Sequence, residues 1–182
     1  MRRSTTAIAV AVMGLLVAGC GETVGNAESP TTTRSMIPRP LVARELTELL
    51  LSPGEVDGAF GAVGMTVTST QTEMSDNSAT MAPRECLAID GAAEAPVYSD
   101  SGFWAERDQS LNDGDHFLHY LKQAVVLFPI AEKAGDFVDA SAQEWTTCHE
   151  YTHTQTESQW SVGQIVNAND TLSITHTRRP SW

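Results

Sequence analysis

Leu41, Leu46, Leu49 and Leu50 recur at helical intervals, so residues 41–50 read as the first helix of the folded part. Ser52-Pro53-Gly54-Glu55 follows as a capping box with Pro53 at the first helical position, which predicts a second short helix through Phe60. From Met65 the pattern changes to alternation. Met65 and Val67 fall on one side and Thr66, Thr68 and Thr70 on the other, the period of a half-buried strand. Residues 74–83 are polar and loop-like, and residues 83–87 read as one helical turn around Cys86. Residues 97–111, with Tyr98, Phe103, Trp104 and Leu111, predict a strand broken at Gly102, and Asn112-Asp113-Gly114 marks a turn. Residues 116–128 fit a helix through Phe117, Leu121, Ala124, Val125 and Phe128, or a strand through Tyr120, Val125 and Val126. Pro129 ends that run. Ile130, Ala134, Phe137, Val138, Ser141 and Trp145 then form the stripe of an amphipathic helix. Beyond Cys148 a threonine-rich alternation returns, with Trp160, Val162 and Ile165 as core candidates, and Leu172 and Ile174 mark a last strand. Helices and strands mixed without regular alternation make the fold class α+β, an antiparallel sheet packed with helices.

Ahead of this part, Arg2-Arg3, an uncharged apolar run over residues 7–17 and Val17-Ala18-Gly19-Cys20 have the form of a bacterial lipoprotein signal. The apolar run is about ten residues long, whereas a membrane-spanning helix needs about 20. Residues 1–19 are therefore expected to be removed and Cys20 to carry diacylglycerol and acyl chains such as palmitate; the alternative is an uncleaved anchor helix. At ~0.8 kcal/mol per buried CH2, two or more long chains hold a protein stably on a membrane. Residues 20–40 include Ser-Pro-Thr-Thr-Thr, Pro38 and Pro40 with few large apolar groups, so they are expected to form a flexible tether. Residues 41–182 then form one domain on the extracytoplasmic face of the cell membrane.

Charge narrows the partners. Acidic residues outnumber basic ones 23 to 11, for a net charge of −12. That excludes nucleic acid, which rewards clustered Lys and Arg, and argues against electrostatic binding to anionic headgroups. Once Cys20 is lipidated, only Cys86 and Cys148 remain. In an oxidising compartment this pair is expected to form a disulfide rather than a metal site, the alternative being two free thiols.

His149-Glu150-Tyr151-Thr152-His153 matches H-E-x-x-H, in which two histidines one helical turn apart hold zinc and the glutamate polarises a bound water. The surroundings, however, are rich in threonine and lack helical periodicity. In a strand, residues four apart stand roughly 13 Å from each other at ~3.3 Å per residue, too far for one zinc at about 2 Å from each nitrogen. Exposed polar residues on a strand are the expected reading, and a zinc-dependent envelope hydrolase is the rival. His116 and His119 lie three apart with no third ligand nearby. No Gly-rich phosphate loop or G-x-S-x-G elbow is present. No cofactor, metal or catalytic residue is assigned, and Trp104 and Trp160 are candidates for lining a ligand groove.

Gln123-Ala124-Val125-Val126-Leu127-Phe128-Pro129, followed by Ala134, Phe137, Trp145 and Cys148, resembles the PknH-like extracellular sensor domain, found outside the membrane on mycobacterial serine/threonine kinases and on stand-alone lipoproteins. Residues 50–56, 83–86 and Trp160-Ser161-Val162-Gly163 extend the likeness over roughly residues 40–178. The resemblance implies that residues 116–128 form a strand, and that a surface groove takes a ligand outside the cell: a small molecule, glycan or lipid fragment of the envelope. It implies no catalytic residues. It also implies a further strand, cysteine and helix beyond Trp182, so this chain is expected to lack C-terminal elements and a second disulfide. A sheet edge left open in this way offers a place for association with another chain, and a non-functional shortened paralogue is the remaining alternative.

Overall fold

The computed structural model of the protein describes residues 39–180. The expected leader, Cys20 and the tether up to residue 38 lie outside them. The first element is a 3-10 helix, Ala43–Leu49, not the α-helix that the leucine spacing predicts. Only Leu46 is buried, while Leu41 and Leu49 are about half exposed. One anchoring side chain does not enforce a full amphipathic stripe, and the tighter turn brings the Leu50 N–H onto the Thr47 carbonyl at 3.4 Å. Helix α1, Pro53–Phe60, starts at the expected capping box. Ser52 Oγ accepts from the Glu55 N–H at 3.4 Å, and Glu55 Oε2 accepts from the Ser52 N–H at 2.8 Å.

Strand β1, Thr66–Gln71, is the edge of a three-stranded antiparallel sheet in the order β1-β3-β4, with β3 at Ala105–Asn112 and β4 at Tyr120–Leu127. The expected alternation in β1 does not persist. Val67 pairs with Leu111 but Ser69 with Ser110, so Thr68 is an extra residue that reverses the phase. Its Oγ1 donates to the Ser110 carbonyl at 3.1 Å. All of β1 is exposed, and Met65 just before it supplies the buried side chain. The Asn112–Gly114 turn forms as expected, with Asn112 Oδ1 accepting from the Gly114 N–H at 3.2 Å. The ambiguous run after it is strand from Tyr120 onward, while His116 and His119 precede the strand.

Residues 97–104 are not strand. Pro96 sits in the first turn of a short helix α3, Ala95–Tyr98, and Gly102 with φ 71° redirects the chain into β3. Helix α2, Leu87–Asp90, precedes α3, and helix α4, Ala131–Glu144, follows β4. A second antiparallel sheet has the order β2-β5-β6-β9, formed by Met81–Ala82, Glu150–His153, Ser158–Val162 and His176–Arg178. Strands β7, Val166–Ala168, and β8, Thr171–Ser173, make a separate hairpin whose turn residues Asn169 and Asp170 have φ of 53° and 57°, as a tight hairpin turn demands. Among the described residues, no helix is long and apolar enough to cross a membrane.

Two cores result. Val56, Ala62, Met65 and Leu111, with Leu121, fill the space between α1 and one face of the first sheet. On that face Gln109 and Gln123 clamp the loop before α1. Their Nε2 groups donate to the Leu51 carbonyl at 2.9 and 2.8 Å, and Gln123 Oε1 accepts from the Leu51 N–H at 2.9 Å. The second core joins Met81, Leu87, Ile89 and Tyr151 to the Cys86–Cys148 disulfide, whose Cα atoms lie 5.2 Å apart. Closing a separation of 62 residues is worth roughly 4 kcal/mol in the chain-entropy account. Helix α3 bridges the two halves: Val97 packs into the second core, whereas Tyr98 turns to the aromatic group of Phe103 and Phe137.

Candidate functional site

Strand β3 is buried on both faces, which is unusual for the sequence Ala-Glu-Arg-Asp-Gln-Ser-Leu-Asn. Leu111 and Gln109 face the first core. Glu106, Asp108 and Ser110 face the opposite way, and β4 adds Tyr120 and Lys122 to that side through the pairs Asn112–Tyr120 and Ser110–Lys122. The segment around Ser75 and Glu94 contributes there too. Lys122 Nζ donates to Ser75 Oγ at 3.1 Å, the Ala95 N–H donates to the Ser75 carbonyl at 2.7 Å, and buried Glu94 accepts from both the N–H and the side-chain amide of Asn77. Gly91 allows this packing, because a Cβ there would meet Glu94 Oε1 at 2.6 Å.

Glu106 is 4% exposed and Asp108 is 0% exposed, yet all four of their carboxylate oxygens lack a hydrogen-bond partner. Lys122 Nζ lies 3.5 Å from Asp108 Oδ2, an ion pair without hydrogen-bond geometry. Burial, reinforced by the charge of Asp108, pushes the Glu106 carboxyl up from the usual glutamate range; Lys122 and Arg107 oppose the shift. Burial, with a smaller contribution from the charge of Glu106, raises the Tyr98 phenol.

The Tyr98 ring stacks on Phe137 with centroids 4.3 Å apart, and Phe128 lies against Phe137 at 5.7 Å. Phe137 also lines an open cleft of about 270 Å³ between α3 and α4. Val97, Ala140 and Ser141 complete its floor, with Asp100 and Glu144 on its walls. A cavity of about 430 Å³ between α2 and α3 shares Val97 and Glu144 with it. Adjoining at Val97 and Glu144, the two make a groove in which Asp100, Asp136, Glu85 and Glu144 outnumber Lys133 and Arg84. Such a groove holds an apolar body and favours positive charge at its edge.

The sequence-derived candidates lie elsewhere. Cys86 and Cys148 are bonded in the second core, and Cys20 is outside the described residues. The H-E-x-x-H segment runs through β5, so its side chains do not share a helix face. Glu150 accepts from Arg179 at 2.6 Å on the outer face, and His153 Nε2 lies 3.2 Å from Asp90 Oδ1 on the inner face. His119 Nδ1 bonds Asp113 Oδ2 at 2.7 Å within the β3–β4 turn. Trp104 is 70% exposed and lines neither helical cavity, whereas Trp160, stacked on Tyr151 with its Nε1 buried and unpartnered, lines a separate cavity of about 130 Å³ with Glu150 and Arg179 on the second sheet. Sequence reasoning missed Glu106, Asp108 and Lys122. The available signal was Glu106-Arg107-Asp108 itself, which puts charge on both sides of a strand and leaves no purely apolar face.

The domain combines two antiparallel sheets with short helices between them, and the groove lies among those helices. A sequence profile of the PknH-like extracellular domain matches residues 41–182, and the chain belongs to that family. The serine/threonine-protein kinase PknH of Mycobacterium bovis is 29% identical over 175 residues, an alignment covering 93% of this chain and 29% of the kinase. Its Mycobacterium tuberculosis counterpart is 30% identical over 146 residues, covering 78% of this chain and 23% of the kinase. The chain thus spans less than a third of these curated relatives. The crystal structure of the extracellular domain of PknH from Mycobacterium tuberculosis superposes with a TM-score of 0.72 at 28% identity, over 79% of this chain and 76% of that one.

Proposed function

We propose that this protein is a lipid-anchored, non-enzymatic sensor-type domain on the extracytoplasmic face of the cell membrane, which binds a small envelope-derived molecule in the groove between α2, α3 and α4. The family supplies the extracellular setting, since the matched part of the relatives is their extracellular domain. The N-terminal Val17-Ala18-Gly19-Cys20 supports the anchor. The groove carries the binding half of the reading. Its floor of Val97, Phe137 and Ala140 is apolar and open to solvent.

Filling the groove tests this reading. Muropeptides and trehalose glycolipids are titrated against the full chain and against Ala140→Trp, with binding followed by tryptophan fluorescence and stability by thermal melting. The reading predicts that a member of this panel binds the parent and is lost in Ala140→Trp while the melting temperature holds. Binders that ignore Ala140→Trp contradict the groove. Mass spectrometry of membrane-derived protein should find Cys20 acylated at the N-terminus; an intact Met1 without acyl chains contradicts the anchor.

A further inference from the structure

Two side chains at one end of the first sheet are the most exposed large hydrophobics of the described residues. Val63 is 88% exposed and Leu118 is 89% exposed, while the next, Trp104, reaches 70%. They belong to different loops: Val63 lies between α1 and β1, and Leu118 in the turn between β3 and β4. Thr66 pairs with Asn112 and Asn112 with Tyr120, so both loops leave the sheet at the same end. With neighbouring strands ~4.8 Å apart, β1 and β4 flank β3 about 10 Å from each other. Phe60 accompanies Val63 and Phe117 accompanies Leu118, each about half exposed, and the Phe117 ring lies 6.2 Å from that of Tyr120.

Both loops are held in place by a carboxylate. Asp57 accepts from the Gly64 and Met65 N–H groups, each at 3.1 Å. Asp113 Oδ1 accepts from the Leu118 and His119 N–H groups at 2.9 and 3.2 Å, and Asp113 Oδ2 meets His119 Nδ1 at 2.7 Å. Backbone donors beside Val63 and Leu118 are thereby satisfied while the two side chains project into solvent. An apolar cluster displayed in this way marks contact with a membrane or another protein.

We infer that this tip dips into the surface of the lipid bilayer to which the chain is anchored. The inference rests on the anchor reading above and says how the domain meets the membrane. Three observations favour lipid over a protein partner. The apolar groups sit on two loop tips, and none of them lines the groove or the second-sheet cavity, where a partner's side chain could dock. Neither residues 57–66 nor residues 113–121 contain Lys or Arg, so contact comes from apolar burial, and exposed Asp115 suits the cationic part of a zwitterionic headgroup. Cys20 precedes Arg39 by 19 residues, which extend to at most ~65 Å, against a radius of gyration of ~14 Å for a domain of this size, so the anchor leaves the tip free to reach the bilayer. Tethering also raises the effective concentration, so weak insertion suffices to orient the domain.

Depth-dependent quenching tests the inference. The protein is purified from membranes, reconstituted into phosphatidylcholine vesicles, and labelled with bimane at Val63→Cys, at Leu118→Cys or, as a control for the dye, at Val166→Cys on the separate β7–β8 hairpin. Brominated acyl chains quench only a dye that reaches the hydrocarbon. Replacing ordinary lipid by its dibromo form should lower emission at least twofold at positions 63 and 118 and less than 1.2-fold at position 166. Phe117→Asp, on the other loop, should restore at least half of the emission at position 63. Quenching as strong at 166 as at 118, or quenching that appears only once phosphatidylglycerol is mixed in, overturns the inference. Mass spectrometry of the same sample reports acylation. If the chain is acylated but positions 63 and 118 stay unquenched, the tip falls while the anchor stands. If the chain carries no acyl chains yet floats with the vesicles and Phe117→Asp releases it, the tip stands and the anchor falls. If quenching is absent and sedimentation shows a dimer that Leu118→Asp dissociates, the surface joins two copies and the lipid assignment falls.

Discussion

The two sheets handle buried polarity in opposite ways. Behind the second sheet, the ionisable groups are paired, and Trp160 Nε1 alone of the named polar atoms there lacks a partner. His153 meets Asp90 at 3.2 Å, the Tyr151 hydroxyl meets His176 Nδ1 at 2.8 Å, and the disulfide ties α2 to the start of β5. Burial, with Asp90 alongside, pushes the Tyr151 phenol far up, and burial pulls the His176 imidazole down, so both stay neutral and hydrogen-bonded. On the face of the first sheet opposite its core, Glu106 and Asp108 are as deeply buried and remain unmet. The contrast teaches that one half of the domain is braced by paired groups and a disulfide, while the other carries buried carboxylates that the fold leaves unmet.

Breaking the braced half should have the largest effect. Replacing Cys86 and Cys148 together by serine is expected to cost about 4 kcal/mol, read as a lowered midpoint in urea titration. In the first sheet, Lys122→Met removes the cation beside two buried carboxylates. Breaking a buried pair from one side costs ~3–5 kcal/mol, so a loss near the lower end is expected from the same titration, because Lys122 bonds Asp108 only loosely. A cost below ~1 kcal/mol would contradict a buried ion pair of Lys122 with Asp108. Tyr151→Phe leaves His176 without its partner, and a loss of ~1–2 kcal/mol should appear in the melting curve. Arg179→Ala breaks an exposed pair with Glu150 and should change stability by no more than ~0.5 kcal/mol in the same assay, marking the outer face as energetically idle.

The pH dependence separates the two halves further. Glu106 has a raised carboxyl pKa in the folded state, so its contribution is fully present below the ordinary glutamate value and is lost as pH rises through the folded one. His176 has a lowered pKa, so its contribution is present above the ordinary histidine value and is lost as pH falls through the folded one. Glu106→Gln should accordingly stabilise the domain at neutral pH and converge with the parent at low pH, whereas His176→Gln should remove the part of the acid-side loss that sets in below the ordinary histidine value.

Where local chemistry dictates structure, the chain could be read directly. The capping box at Ser52–Glu55 sets α1, the Asn112–Gly114 turn sets the β3–β4 hairpin, and the threonine-rich run after Cys148 is strand. Tertiary contacts decided the rest. Thr68 reads as a regular strand position, and only pairing with β3 reveals the bulge. Tyr98 reads as strand because its aromatic neighbours favour one, yet Pro96 and the packing of Val97 into the second core make it helical. Glu106 and Asp108 alternate with Arg107 and Gln109, which reads as a strand edge in solvent. They are buried because residues 75–98 fold back over that face, and no local pattern encodes that return.

The claim at the centre of this account is that Glu106 is buried without partners at a cost to stability. Melting Glu106→Gln beside the parent at neutral and at low pH tests it most directly. The account predicts a higher melting temperature than the parent at neutral pH and a difference that closes at low pH. A lower melting temperature at neutral pH would contradict it.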